Sequence, residues 1–263
     1  MEFHHPKNLA EAARLLRRSS SIAVAGATSF TRQPKVSHLV GITRLGLGYI
    51  KADKNNIHIG AGATISDLEK SEAAGLASGI LRAACSTLSD TPLRNMITVG
   101  GDIACRFPWA NLPPALLVLD AEILTAGRKR PVPLEKFLGA RQKSSELIKE
   151  VVLPRSLPGK GSFIKFARTK TDYSILTVAA YAEMAEQNIS KVRLAVSGNC
   201  RLGRLKKLEW ELEGMAPEAV ESAVKNHLPS LPIYKSILAS EDYMREVLGV
   251  LLRRALADVV GGE

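Results

Sequence analysis

The sequence predicts an α+β fold in two successive parts, and three observations carry that prediction. At the N-terminal end a helix, a short apolar strand and a glycine turn follow one another between Asn8 and Ser29. Residues 154–161 then interrupt the pattern with proline, glycine and charge, as a boundary does. Beyond that break, residues 162–167, 174–185 and 189–196 read as three antiparallel strands joined by short polar turns. The expected domains are residues 1–156, divided into subdomains at about 1–52 and 53–156, and residues 162–260.

The elements follow in order. Asn8-Leu9-Ala10-Glu11 is a capping box opening a helix whose apolar stripe is Leu9, Ala12, Ala13 and Leu16, ending near Arg17-Arg18. Residues 21–25 form the strand that runs into the first glycine turn. A polar turn at residues 53–56 joins a strand around Tyr49-Ile50 to another over residues 57–61. Thr64-Ile65-Ser66-Asp67 is a second capping box, and residues 76–88 read as an amphipathic helix. Residues 96–99 read as a buried strand delivering the second glycine turn. Pro113-Pro114 opens a short helix ending near Leu119. Residues 121–126 and 131–134 form a hairpin around Gly127, and residues 147–153 another strand. Two helices close the chain, one from Pro217 and one capped at Ser240.

Composition narrows the functional classes. The chain has 263 residues, 46% hydrophobic and 24% charged, which suits a globular protein with a sizeable core. Its net charge of +10 raises nucleic-acid binding. The basic residues, however, are scattered pairs and triplets such as Arg17-Arg18 and Lys206-Lys207, interleaved with acids, and aromatic content is only 5%. A solvated basic surface, or one that docks an acidic partner, is the expectation; nucleic acid is not. Cys85, Cys105 and Cys200 have neither a disulfide framework nor cluster spacing, which predicts reduced thiols in the cytoplasm. No apolar run reaches the length of a membrane span.

The residues that can carry chemistry are the two turns, Ala25-Gly26-Ala27-Thr28-Ser29 and Thr98-Val99-Gly100-Gly101-Asp102. Successive backbone N–H groups in a tight turn make an anion-binding nest suited to the pyrophosphate of a dinucleotide. Glycine lets backbone approach phosphate, and Thr28, Ser29, Thr98 and Asp102 add hydrogen-bonding groups. Each turn alone also reads as an ordinary strand end. Gly60-Ala61-Gly62 imitates a Rossmann turn, but lacks its third glycine and downstream acid, so a strand-to-helix turn is the better reading. Ser197-Gly198-Asn199 lacks the setting of a nucleophile elbow. His4 and His5 have no third ligand nearby in sequence, and His38, His58 and His227 are isolated; no metal site and no catalytic side chain are predicted.

The order of these motifs resembles the medium, FAD-binding subunit of the xanthine dehydrogenase and carbon monoxide dehydrogenase family of molybdenum hydroxylases. The resemblance runs from Phe3-His4-His5-Pro6 through both glycine turns and Leu93-Arg94-Asn95. It continues through Leu112-Pro113-Pro114-Ala115-Leu116-Leu117, Phe163 to Arg168 and Asp172, and ends at Tyr243-Met244-Arg245. It implies a two-subdomain FAD-binding region of the vanillyl-alcohol oxidase type, then a C-terminal antiparallel sheet with helices. FAD is implied between the subdomains, its pyrophosphate over both turns. Leu88, Asn111, Ile148 and Lys165 are implied near the cofactor, Lys165 as a cation that stabilises a reduced, anionic flavin. The implied partners are an iron–sulfur small subunit, which supplies electrons, and a molybdenum-cofactor large subunit, where substrate is hydroxylated; an external acceptor takes the electrons onward.

The chain departs from the family pattern at Ala27, where the first turn usually has a second glycine, and at Asn111, where the family has an acid. Residues 30–56 are shorter than the pattern, and Arg106-Phe107-Pro108-Trp109 is bulkier. These departures leave two alternatives: a family-derived scaffold with weakened or lost FAD binding, and a stand-alone FAD oxidoreductase, for which no general base is evident.

Overall fold

The computed structural model describes residues 1–29, 36–75, 79–141, 146–231, 233–236 and 239–261. In chain order the elements begin with β1 (Glu2–His4), α1 (Leu9–Leu15), β2 (Ser21–Val24), β3 (His38–Gly41), β4 (Ile50–Ala52), β5 (Asn56–Gly60) and α2 (Ile65–Lys70). There follow α3 (Ile80–Ser86), α4 (Thr91–Arg94), α5 (Val99–Cys105), α6 (Leu112–Val118), β6 (Glu122–Thr125), β7 (Val132–Pro133), α7 (Leu134–Gly139) and β8 (Ile148–Pro154). The remainder is β9 (Lys160–Phe166), β10 (Leu176–Ala185), β11 (Asn188–Gly198), β12 (Gly203–Arg204), α8 (Lys206–Leu212), α9 (Val220–His227) and α10 (Glu241–Val260). Among these, Met1–Ala73, Asp90–Arg106 and Asp120–Arg155 form one compact unit, and Ala74–Ser89, Phe107–Leu119 and Ser156–Glu263 the other. By packing, therefore, two segments that precede the break near residue 156 belong with the residues after it.

The first unit holds two sheets. A parallel three-stranded sheet, β1-β3-β2, is built by a β-α-β crossover, and Ala12, Leu15 and Leu16 of α1 form one core with Val40 and Ile42. The helix starts where its side chains cap it: Asn8 Oδ1 accepts from the Glu11 amide at 2.9 Å, and Glu11 reaches back to the Lys7 amide at 2.8 Å. The second sheet is antiparallel, β4-β5-β8-β6-β7, with β8 in the middle. The polar turn before β5 is fixed by Asp53, whose carboxylate accepts from the amides of Asn55 and Asn56 and meets the His58 ring at 2.9 Å. Those bonds hold the Asp53 carboxyl at about 2, the His58 bond contributing most. The capping box at Thr64–Asp67 closes in both directions and starts α2.

In the second unit an antiparallel sheet, β12-β11-β10-β9, packs through Leu176, Val178, Leu194 and Val196 against α8, α9 and α10. Its buried charge is paired: Glu209 takes a forked bond from Arg204 and accepts the Leu194 amide at 2.8 Å.

Three local expectations change. Residues 96–99 are not a buried strand: Met96 is half exposed, and Thr98 is the N-cap of α5, leaving Gly100 and Gly101 in the first helical turn. The short apolar run misled because Thr98 spends its side chain on the Gly101 amide and turns the chain into a helix. Of the helix expected over residues 76–88, only Ile80–Ser86 is observed, and residues 76–78 lie outside the described ones. The helix near Pro217 begins as a 3₁₀ turn, Pro217–Ala219, and α8 precedes it unforeseen.

Candidate functional site

In the first unit the structure brings the two glycine turns together. Gly26 lies so close to Met96 that a Cβ there would sit 1.7 Å from the Met96 carbonyl oxygen. Gly100 likewise faces the turn after β5, where a Cβ would come within 2.6 Å of the Ala61 side chain. Both glycines are therefore required by backbone-to-backbone packing, a more demanding reason than access for phosphate. A side-chain link reinforces the contact: the Cys105 thiol, at the end of α5, donates to Ser29 Oγ at 3.1 Å. Burial, aided by the charge of Asp102, pushes that thiol above its ordinary range, with the Ser29 bond opposing.

The amides of the two turns differ. Val99 N–H donates to Ala63, Gly100 N–H to Ala61, Gly101 N–H to Thr98 Oγ1 and Asp102 N–H to the Thr98 carbonyl. Four of the five amides of the second turn are thus consumed within the protein, and only that of Thr98 has no acceptor among the described residues. Among the described residues, the amides of Gly26, Ala27, Thr28 and Ser29 donate to no protein acceptor. Ala27 has φ +57, the left-handed conformation, and Ala27 and Thr28 are exposed. A left-handed residue inside a turn rotates successive N–H groups toward one side, which is the geometry of an anion nest. Ile148, at the start of β8, is 3% exposed and paired with Thr125, so it offers only apolar surface.

In the second unit three residues implied by resemblance alone meet around one backbone carbonyl. Thr87 O accepts from Lys165 Nζ at 2.8 Å and from Asn111 Nδ2 at 3.3 Å, and Leu88 is the next residue, 8% exposed. Lys165 Nζ also donates to Lys170 O at 3.0 Å. Burial pushes the Lys165 ammonium below the ordinary lysine range, and nearby Asp172 opposes that shift. Asn111 is held on its other side by Ser174, whose hydroxyl donates to Asn111 Oδ1. That grouping was hidden in the sequence because Thr87 and Lys165 are 78 positions apart and Thr87 contributes only its backbone.

The bulky segment has structural duties. Arg106 takes a left-handed conformation at the end of α5 and donates to the carbonyls of Phe137, Leu138 and Ala140, capping the end of α7. In the second unit the Phe107 ring stacks on Trp109 with centroids 4.9 Å apart, and Trp109 meets Tyr173 at 5.2 Å.

Residues 1–156 match the sequence model of the FAD binding domain in molybdopterin dehydrogenase, and residues 161–259 that of the CO dehydrogenase flavoprotein C-terminal domain. The carbon monoxide dehydrogenase medium chain of Hydrogenophaga pseudoflava is 27% identical, over 97% of this chain and 95% of its own length. The 6-hydroxypseudooxynicotine dehydrogenase complex subunit alpha of Paenarthrobacter nicotinovorans is 30% identical, over 86% of this chain and 80% of its own. Among solved structures, the Hydrogenophaga pseudoflava carbon monoxide dehydrogenase lacking the Mo-pyranopterin moiety gives a TM-score of 0.91. That match has 25% sequence identity and covers 98% of this chain and 96% of that one.

Proposed function

The chain belongs to the family whose N-terminal part is the FAD-binding domain of molybdopterin dehydrogenases, and from that premise we propose that it is the flavin subunit of a heteromeric molybdenum hydroxylase. It is an oxidoreductase subunit and FAD is its cofactor. The observation that carries the reading is the set of four unengaged amides around left-handed Ala27.

The residues present fit that cofactor. The amides of Gly26 to Ser29 suit a pyrophosphate, with the hydroxyls of Thr28 and Ser29 beside them. Met96 and Cys105, on either side of Thr98 to Asp102, support that turn by contact with Gly26 and Ser29. In the second unit Lys165 keeps a partly desolvated positive charge fixed by two carbonyls, a fitting neighbour for an electron-rich ring system. Asn111, tied to Thr87 and Ser174, keeps that lysine's carbonyl partner oriented. When bound, FAD supplies two-electron chemistry with one-electron steps available. Iron–sulfur and molybdenum-cofactor subunits are the proposed partners, since the relatives are medium chains or subunits of dehydrogenase complexes. The positive charge of the chain favours an acidic face on the partner, and association that weakens with salt is expected. No helix among the described residues is long and apolar enough to cross a membrane, and the three cysteines are free thiols, in keeping with a place in the cytoplasm.

Reconstitution tests the reading. The purified full chain is incubated with excess FAD, desalted and examined by visible absorption. Retained flavin bands, with a Lys165→Met variant that binds FAD at a more negative flavin reduction potential, are the expected result. A wild-type chain that retains no flavin would show instead a scaffold that has lost its cofactor.

A further inference from the structure

At the outer end of the parallel sheet, β1 and β3 pair with Glu2 opposite His38 and His4 opposite Val40. Side chains alternate along a strand, so Glu2 and His4 share a face, and His38, in register with Glu2, shares it too. Their ligand atoms form a nearly equilateral triangle: His4 Nε2 to His38 Nδ1 is 3.2 Å, His4 Nε2 to Glu2 Oε2 is 3.5 Å, and His38 Nδ1 to Glu2 Oε2 is 3.4 Å. A tetrahedral zinc ion with bonds of about 2.0–2.1 Å separates neighbouring ligands by about 3.3–3.4 Å. A hydrogen bond accounts for the His4–His38 side of the triangle, but not for the carboxylate oxygen, which stands beyond ordinary N–H···O range from both imidazoles.

A second observation points to the same place. Ser21, on β2, is in register with His38 and so lies on this face. It is 7% exposed, and its hydroxyl has no hydrogen-bond partner among the described residues. A buried hydroxyl in that state calls for a polar neighbour that the described residues do not supply.

We propose that Glu2, His4 and His38 bind a divalent transition cation of the zinc class. Two imidazole nitrogens and one carboxylate oxygen select such an ion over calcium or magnesium, which take oxygen ligands in greater number. A water completes the coordination, with the Ser21 hydroxyl on the same face available to bond it. The ion clamps β1 to β3, and with them the crossover that leads into the Gly26 turn, without using any residue of that turn.

The test uses the full chain without an added histidine tag, stripped with a chelator and then dialysed. Cobalt(II) is titrated in while the ligand-field absorption is followed, and zinc is added to displace it. The expected result is a single equivalent of cobalt with a low-coordination spectrum, displaced by zinc, and a zinc-dependent rise in melting temperature. His38→Ala and Glu2→Gln should each weaken zinc binding at least as much as the about 10–100-fold that losing an outer partner of a metal ligand costs. Glu2 is 62% exposed, so Glu2→Gln keeps the test alive if His38→Ala fails to fold. Stripped protein that binds no cobalt or zinc, or variants that bind with wild-type affinity, would overturn the site and reduce the trio to a strand staple. FAD retention measured alongside reports separately on the flavin reading.

Discussion

At the Gly26 turn the amides of Gly26 to Ser29 meet no acceptor among the described residues, whereas in the second turn those of Val99 to Asp102 are taken up by Ala61, Ala63 and Thr98, leaving only the Thr98 amide without one. On the proposed reading, the first region presents donors to the cofactor and the second supports it. The difference teaches that glycine content does not identify a phosphate cradle. What identifies it is where the amides end, and Gly100 serves packing against Ala61 while Gly26 serves packing against Met96.

The largest expected effect comes from filling the contact between the two regions. Gly26→Ala drives a methyl into the Met96 carbonyl and should cost about 3 kcal/mol or more, measured by denaturant unfolding. Gly100→Ala meets the Ala61 side chain and carbonyl, and a loss of about 1–3 kcal/mol is expected, smaller because part of the clash is with a methyl. If Gly26→Ala proves neutral, the close approach of the two turns is wrong.

Thr98→Ala separates support from ligand contact. It removes the cap on Gly101 and should lower stability by about 1 kcal/mol, while FAD affinity shifts only slightly. A variant of full stability but greatly weakened FAD binding would mean that Thr98 touches the cofactor. Ala27→Gly should act the opposite way. Relief of the left-handed alanine, about 1–2 kcal/mol, is partly offset by a more flexible unfolded chain, for a net gain below about 1 kcal/mol.

The smallest effect concerns the burial of Cys105 and is read through pH. A folded-state thiol pKa raised above 9.0 means that the folded protein holds its proton longer than the unfolded chain. The contribution is full below pH 9.0 and is lost as pH rises through the raised folded value. Cys200, in the second unit and pushed up to about 12 by burial, adds loss over the window from 9.0 to about 12. Melting curves across that range should flatten for Cys105→Ala, and more for Cys200→Ala.

Much of the fold was legible in the sequence because its signals are local. The caps at Asn8, Thr64 and Ser240, the proline pair that opens α6 and the short polar turns between β9, β10 and β11 each lie within a few residues. What could not be read depends on distant partners. Residues 96–99 read as a short apolar strand, yet the Thr98 hydroxyl and the proximity of Ala61 and Ala63 make them a helix entry. His4 and His38 become neighbours only when β1 pairs with β3. Of the candidate site, both turns were legible as motifs, but the sequence did not show that the amides of Val99 to Asp102 bond within the protein while those of Gly26 to Ser29 do not. Leu88, Asn111 and Lys165 were reached through resemblance alone, because a backbone carbonyl, Thr87 O, joins two of them.

Site-resolved amide hydrogen exchange, with and without FAD, tests the division of labour most directly. In the apoprotein the amides of Ala27, Thr28 and Ser29 should exchange quickly and those of Val99 to Asp102 slowly; FAD should slow the first group by about tenfold or more and leave the second nearly unchanged. Protection of the first turn before FAD is added, or FAD binding that alters only the second, would contradict the account.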